Sequence, residues 1–210
     1  MNLESQLDEG VSALGIVLPE GVAGQLLQYL DLMEKWGKVY NLTAIRKPEV
    51  MLGLHLFDSL AILPYISGPL LADVGSGAGL PGIPLALARP DWHVVLFESN
   101  QKKAIFLQQV RIELNLKNIE VIAERVESFS PRQMFDTVIS RAFSGLVDYV
   151  QKAGHLCKEA DKGGTMVAMK GERPREELVQ IPEQFVINKI SPIMVPGLNA
   201  KRHLVFINRN

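Results

Sequence analysis

The sequence predicts an α/β protein: a seven-stranded, mostly parallel sheet closed by a C-terminal antiparallel hairpin and preceded by a helical extension. Three observations carry this. From Leu70 onward, strand and helix signals alternate regularly. The first strand runs into a turn with glycines at 75, 77 and 79. Upstream of it, apolar residues recur at helical rather than strand spacing.

In the N-terminal part, residues 2–15 and 21–39 read as helices. In the second, Val22, Leu26, Leu27, Leu30, Met33, Trp36, Val39 and Tyr40 form one apolar stripe, the signature of a core-facing helix. A third helix is expected from Glu49 to about Ile66, with Pro48 in its first turn. The apolar connector from Asn41 to Lys47 separates them. Residues 1–66 are therefore a helical extension, and 67–210 one compact sheet domain.

The expected strands are Leu70–Val74, His93–Phe97, Ile119–Ala123, Thr137–Ser140 and Thr165–Met169. Helices follow through about Ala88, over 100–115, over 144–157 and over 173–179. The extended runs Phe185–Ile190 and His203–Asn208 close the chain. Five βα units with two further strands give a parallel sheet ending in a hairpin.

Composition narrows the function. The 210 residues suffice for a sizeable core, and the net charge of −1 provides no global basic field for nucleic acid. Any RNA contact must come from a local patch. The single cysteine, Cys157, excludes a disulfide framework and a cysteine-rich zinc site, and no metal is expected. The first ten residues lack a basic segment followed by an apolar one, so no signal peptide is expected. No apolar run approaches the ~20 residues of a membrane span. A cytoplasmic protein with no membrane contact, and a monomer by default, is the expectation.

The chemistry should sit outside the carboxyl ends of the strands. The first strand delivers Asp73 and the run Gly75-Ser76-Gly77-Ala78-Gly79-Leu80. Leu80 stands where a G-x-G-x-x-G dinucleotide fingerprint has its third glycine, which argues against a nicotinamide oxidoreductase. An acid ahead of the glycines, in the pattern D-x-G-x-G-x-G, would repel a pyrophosphate but receive an ammonium group. That suits the amino-acid end of S-adenosylmethionine (SAM). The second strand delivers Glu98, about 20 residues on, where a carboxylate can accept from both ribose hydroxyls. The same residue could instead cap the following helix. The loop from Glu124 to Phe129 follows the third strand and either covers an adenine or is a solvated turn. The fourth strand ends in Ser140-Arg141-Ala142-Phe143, an arginine and an aromatic beside the expected methyl donor. Arg141 could equally be a surface ion pair, and Phe143 either stacks on a base or packs on the next helix.

Taken with Asn41-Leu42-Thr43, His55-Leu56-Phe57-Asp58-Ser59, Asp73 through Pro84, Met169-Lys170-Gly171 and Arg202-His203-Leu204, these motifs span nearly the whole chain. The sequence thereby resembles the bacterial 16S ribosomal RNA guanine-N7 methyltransferase family, known as GidB or RsmG. The resemblance implies a Rossmann-like, class I SAM-dependent methyltransferase fold. It also implies SAM contacts at Gly75, Leu80, Val126, Glu127 and Arg141, and 16S rRNA in a 30S subunit or assembly intermediate as partner.

Guanine N7 carries a lone pair and no proton, so such a reaction needs positioning rather than a general base. Arg141 and Phe143 are the expected positioning residues. Asp73, Gly75, Gly77, Gly79, Leu80, Glu98, Val126, Glu127 and Arg141 are the expected cofactor set. Arg46, Lys47, Arg125, Lys170, Lys201, Arg202 and His203 fall at loops or strand ends, and are the candidate phosphate contacts. His55 and Asp58, three apart on one helix, are expected to form a buried pair tying the extension to the sheet. A methyltransferase acting on a small molecule or protein, or a SAM-sensing module without transfer, remain the alternatives.

Overall fold

A computed structural model describes residues 2–40, 42–45 and 47–210, with the Val39 side chain outside that description. Its seven strands form one sheet in the order β3-β2-β1-β4-β5-β7-β6. The parallel strands are β1 (Leu70–Val74), β2 (His93–Phe97), β3 (Ile119–Ile122), β4 (Thr137–Arg141) and β5 (Thr165–Lys170). Central strands β1 and β4 are buried almost end to end, which is why they read as continuous apolar runs rather than alternating ones. β7 (Arg202–Arg209) enters antiparallel between β5 and the edge strand β6 (Phe185–Ile193). Its first residues therefore lie at the carboxyl end of β5, with His203 opposite Lys170. The strand order reverses between β1 and β4, the switch point where an open α/β sheet has its crevice.

The first two expected helices are α1 (Leu3–Ala13) and α2 (Val22–Tyr40). The side chain of Asn2 caps α1 by accepting from the Ser5 amide. Leu26, Leu30 and Met33 of the α2 stripe are buried, while Trp36 stacks on Tyr40 and meets Phe106 of the sheet domain.

The third expected helix is shorter and wider than the sequence suggested. It runs through α3 (Pro48–Met51), a π-helical stretch (Leu52–Phe57) and α4 (Asp58–Leu60). Asp58 N–H donates to the Gly53 carbonyl five residues back, which widens the turn that carries His55 and Asp58. A separate 3-10 turn (Leu63–Tyr65) follows; Pro64 has no N–H to continue an α-helix. Beyond β1 come α5 (Gly82–Ala88), α6 (Gln101–Glu113), α7 (Leu146–Ala153) and α8 (Arg175–Leu178).

Two cores flank the sheet. Ala72 and Val74 of β1 point into one, with Phe97, Val138, Leu146 and Tyr149. Leu71 points into the other, with Leu96, Ile83 and Leu107. This second core also contains Leu7, Leu26, Leu30, Met33, Leu56 and Leu60. The N-terminal helices thus share a continuous apolar core with α5 and α6. No helix among the described residues is long and apolar enough to cross a membrane.

Candidate functional site

At the carboxyl end of β1 the backbone turns through Gly75, Gly77 and Gly79, all with left-handed φ (72°, 60° and 93°). The amides of Gly75 and Ser76 both donate to the Phe97 carbonyl, at 2.9 and 3.1 Å, which fastens the turn to β2. Asp73 is fully buried beneath it. Its Oδ2 accepts from the Gly82 amide, the first of α5, at 2.9 Å, while its Oδ1 has no partner among the described residues. Burial pushes the Asp73 carboxyl up to about 7, against the opposing pull of the Gly82 amide and Arg141.

A hydroxyl from the helical extension supports the same turn. Tyr29 of α2, wholly buried, donates from its phenol to the Ala78 carbonyl at 2.6 Å. Sequence reasoning passed over this residue, although its place between Leu26 and Met33 puts it on the buried face, where a phenol needs an acceptor.

Glu98, at the end of β2, faces the turn. Its Oε2 accepts from the Gly77 amide at 2.8 Å and its Oε1 from the Asn100 amide at 2.7 Å. The cap of α6 is Asn100, whose side chain accepts from Lys102 and Lys103, so Glu98 is not the cap. Each carboxylate oxygen retains a lone pair for a further donor. A narrow cavity of about 100 Å³ opens here between Gly75, Glu98, Glu124, Arg125, Val126, Glu127, Phe143 and Lys152. Gly75, Glu98, Val126 and Glu127 of the expected cofactor set therefore share one wall system. Leu80 does not reach it: its side chain is buried in the core and its amide donates to Ser76 O. Lys152, absent from the expected set, lies 5.9 Å from the centroid of the Phe143 ring.

Past β4, Ala142 has a left-handed φ of 63°, uncommon for a residue with a Cβ and costing about 1–3 kcal/mol. The strained residue lets its two neighbours reach in different directions. Phe143 meets Tyr149 and the wall by Gly75. Arg141 reaches the extension, donating from Nη1 to the Leu54 carbonyl (3.0 Å) and to Asp58 Oδ2 (3.1 Å).

Asp58 also accepts at Oδ1 from Arg202 Nε, at 2.6 Å. The expected His55–Asp58 pair is thus replaced by an Arg141–Asp58–Arg202 cluster, and His55 turns its Nε2 to Thr43 Oγ1 at 3.1 Å. Burial, with Arg141 nearby, lowers the His55 pKa to about 4 and keeps the ring neutral.

The expected phosphate contacts do not share one environment; Arg202 is the one held by Asp58. Lys170 is paired with Glu177 at 2.9 Å, and Glu177 also accepts from the Leu146 amide at the start of α7. Lys201 and His203 line an open groove of about 650 Å³ with Arg173, Arg175 and Glu172, beside that pair. Arg125 belongs to the cleft wall, and Lys47 is exposed ahead of α3. Arg46 and Asn41 lie outside the described residues. Among the described residues there is no group of three or more His, Cys, Asp or Glu that could hold a metal ion.

The architecture has relatives in known structures. A putative methyltransferase from Thermoplasma acidophilum superposes with a TM-score of 0.54 over 71% of each chain, at 15% identity. TrmN from Thermus thermophilus gives 0.56 over 72% of this chain and 47% of that one, at 16% identity. At such identities the likeness is one of fold: the Rossmann-like methyltransferase fold. Sequence relatives are much nearer. The ribosomal RNA small subunit methyltransferase G of Nitrosospira multiformis is 58% identical, covering 100% of this chain and 99% of its own. Its counterpart in Nitrosomonas eutropha is 52% identical over 98% of this chain and 97% of its own. The profile of the family described as GidB, rRNA small subunit methyltransferase G, matches residues 23–205. With a full-length match at this identity, and a family profile that spans most of the chain, the chain belongs to the GidB family of rRNA small subunit methyltransferases G.

Proposed function

We propose that this chain transfers the methyl group of SAM to N7 of a guanine in 16S rRNA, within a 30S subunit or an assembly intermediate in the cytoplasm. The observation that carries the cofactor assignment is Asp73. A fully buried carboxylate oxygen without a donor, under a glycine turn at the switch point, calls for a cationic ligand group. The ammonium of an amino-acid end supplies one. Family membership supports the RNA substrate.

In this reading Asp73 takes the ammonium, Glu98 the ribose hydroxyls, and Val126 with Glu127 the adenine edge. Gly75 and Gly77 let the backbone approach the ligand closely. SAM supplies an electrophilic methyl on a sulfonium, a leaving group that needs no proton. N7 brings its own lone pair, so no side chain must remove a proton; the N–C bond forms as the C–S bond breaks. The work left to the protein is alignment of the two and exclusion of water. Phe143, at the cleft wall, is suited to stack on the base, and the product guanine is cationic, so neighbouring carboxylates favour it. Lys201 and His203 in the open groove, with Arg125 at the cleft wall, are placed to meet RNA phosphates. Lys170 and Arg202 act from within ion pairs.

Tritiated methyl transfer to 30S subunits and to total RNA lacking this modification, followed by nucleoside mass spectrometry, tests the assignment. The expected product is 7-methylguanosine in 16S rRNA. Label in protein or small molecules instead would overturn the substrate.

A pH dependence follows from Asp73. With its carboxyl near pH 7, the empty site holds a proton at lower pH that an incoming ammonium must displace. SAM affinity should therefore fall by up to about tenfold per pH unit below ~7. It should fall again above ~8, where a free α-amino group loses its charge. Titration calorimetry from pH 5.5 to 9 checks this. Asp73→Asn should bind weakly and lose the acid limb, and a flat wild-type profile would remove Asp73 from the ammonium site.

A further inference from the structure

We propose that Asp58 is a positioning residue for methyl transfer: one buried carboxylate that sets the directions of both the cofactor-side and the RNA-side arginine. The proposal rests on the function assigned above. Asp58 comes from the helical extension and is 2% exposed. Its two oxygens are divided between Arg141 at the carboxyl end of β4 and Arg202 at the start of β7. Both arginine side chains are about four-fifths buried, with exposures of 22% and 21%.

A staple between extension and sheet would need only one of these pairs. Here one carboxylate holds two arginines, and Arg141 also acts on the buried Asp73, so the cluster links the extension to the acid beneath the glycine turn. Each guanidinium is also fixed by a second acceptor, the Leu54 carbonyl for Arg141 and the Lys201 carbonyl for Arg202. This leaves Nε and Nη2 of Arg141, and Nη2 of Arg202, without a partner among the described residues. These are oriented, unspent donors. Arg141 adjoins the strained Ala142 and the cleft residue Phe143, whereas Arg202 sits between Lys201 and His203 of the open groove. Asp58 therefore fixes the donor site and the RNA site relative to each other. That relative placement is what an in-line reaction without a general base depends on.

The test compares wild type, Asp58→Asn and Asp58→Glu for melting behaviour, SAM affinity, and kcat and KM on 30S subunits. Asparagine keeps the size but removes the charge; glutamate keeps the charge but displaces it by one methylene. The expected order of kcat is wild type, then Asp58→Glu, then Asp58→Asn. The asparagine variant should lose about a hundredfold, with KM moving less and a cooperative melt retained above the assay temperature. A folded Asp58→Asn within twofold of the wild-type kcat would overturn the proposal. If Asp58→Asn does not fold, Asp58→Glu decides: a wild-type kcat in that variant would overturn positioning, and a kcat reduced about tenfold at an unchanged melt would support it. Absence of transfer by the wild type itself would instead overturn the assigned reaction.

Discussion

Gly77→Asp should abolish SAM binding, weakening it by about a hundredfold or more, while leaving the sheet folded. The two effects separate because of what surrounds this glycine. An added Cβ would find only the Gly75 carbonyl within 4 Å, at 3.9 Å, so the side chain has room. The backbone is left-handed there (φ 60°), a conformation that aspartate tolerates better than most residues. The expected loss of stability is about 1–2 kcal/mol, or about 2–8 °C in a melt. The electrostatic consequence is larger. Gly77 N–H donates to Glu98 Oε2 at 2.8 Å, and Glu98 lines a cleft also walled by Glu124 and Glu127. A new carboxylate there competes with Glu98 for donors, repels it, and fills the space a ribose would use. Gly77→Asn is the control, with the same backbone strain and no charge, and should bind better than the aspartate variant. Calorimetry alongside thermal melts measures both quantities. A Gly77→Asp protein that binds SAM within threefold of wild type would remove the glycine turn from the cofactor site.

The parts of this site that were legible in the sequence are those made by short-range pattern. Asp73, the glycine turn and Glu98 lie where strands end, and strand ends can be read from apolar runs bounded by turn residues. The central strands came out at or within one residue of their observed bounds. What was not legible was pairing between distant segments. Asp58 and Arg202 are 144 residues apart, and Glu177 accepts from the Leu146 amide 31 residues away, through no periodicity at all. Spacing suggested that Asp58 should pair with His55, three residues earlier on a helix. The π-helical turn changes the geometry of that face, and two guanidiniums offer a buried carboxylate charged donors that a neutral imidazole does not. The same limit explains the cations. Loop positions alone could not distinguish Lys201, which lines an open groove, from Arg202 next to it, which is held by Asp58.

Deleting residues 1–66 should leave a chain that does not fold cooperatively. An extension that merely decorated the sheet would be dispensable, and its separation by sequence signals invites that view. The packing argues otherwise. Leu26, Met33, Leu56, Leu60 and Ile62 are each fully buried, in the same core as Ile83 and Leu107 of the sheet domain. Burial of such a side chain contributes about 1.5–3 kcal/mol. Losing even these five contributions, together with the exposure of their partners on α5 and α6, exceeds much of the 5–15 kcal/mol that typically holds a domain together. Polar groups would be orphaned as well. The Ala78 carbonyl would lose the Tyr29 hydroxyl, and Arg141 and Arg202 would lose Asp58, the carboxylate that both pair with. The expected signature of the 67–210 fragment is a broad, non-cooperative melt, strong dye binding to exposed apolar surface, and no measurable SAM affinity. A sharp melt with SAM binding intact would show that the sheet carries its own core, and that the extension serves only the RNA. Point substitution offers a milder version of the same test. Tyr29→Phe keeps the ring and removes one donor to the glycine turn, so it should cost about 1–3 kcal/mol and weaken SAM binding in step. A loss of stability without a loss of affinity would mean that Tyr29 supports the fold but not the turn.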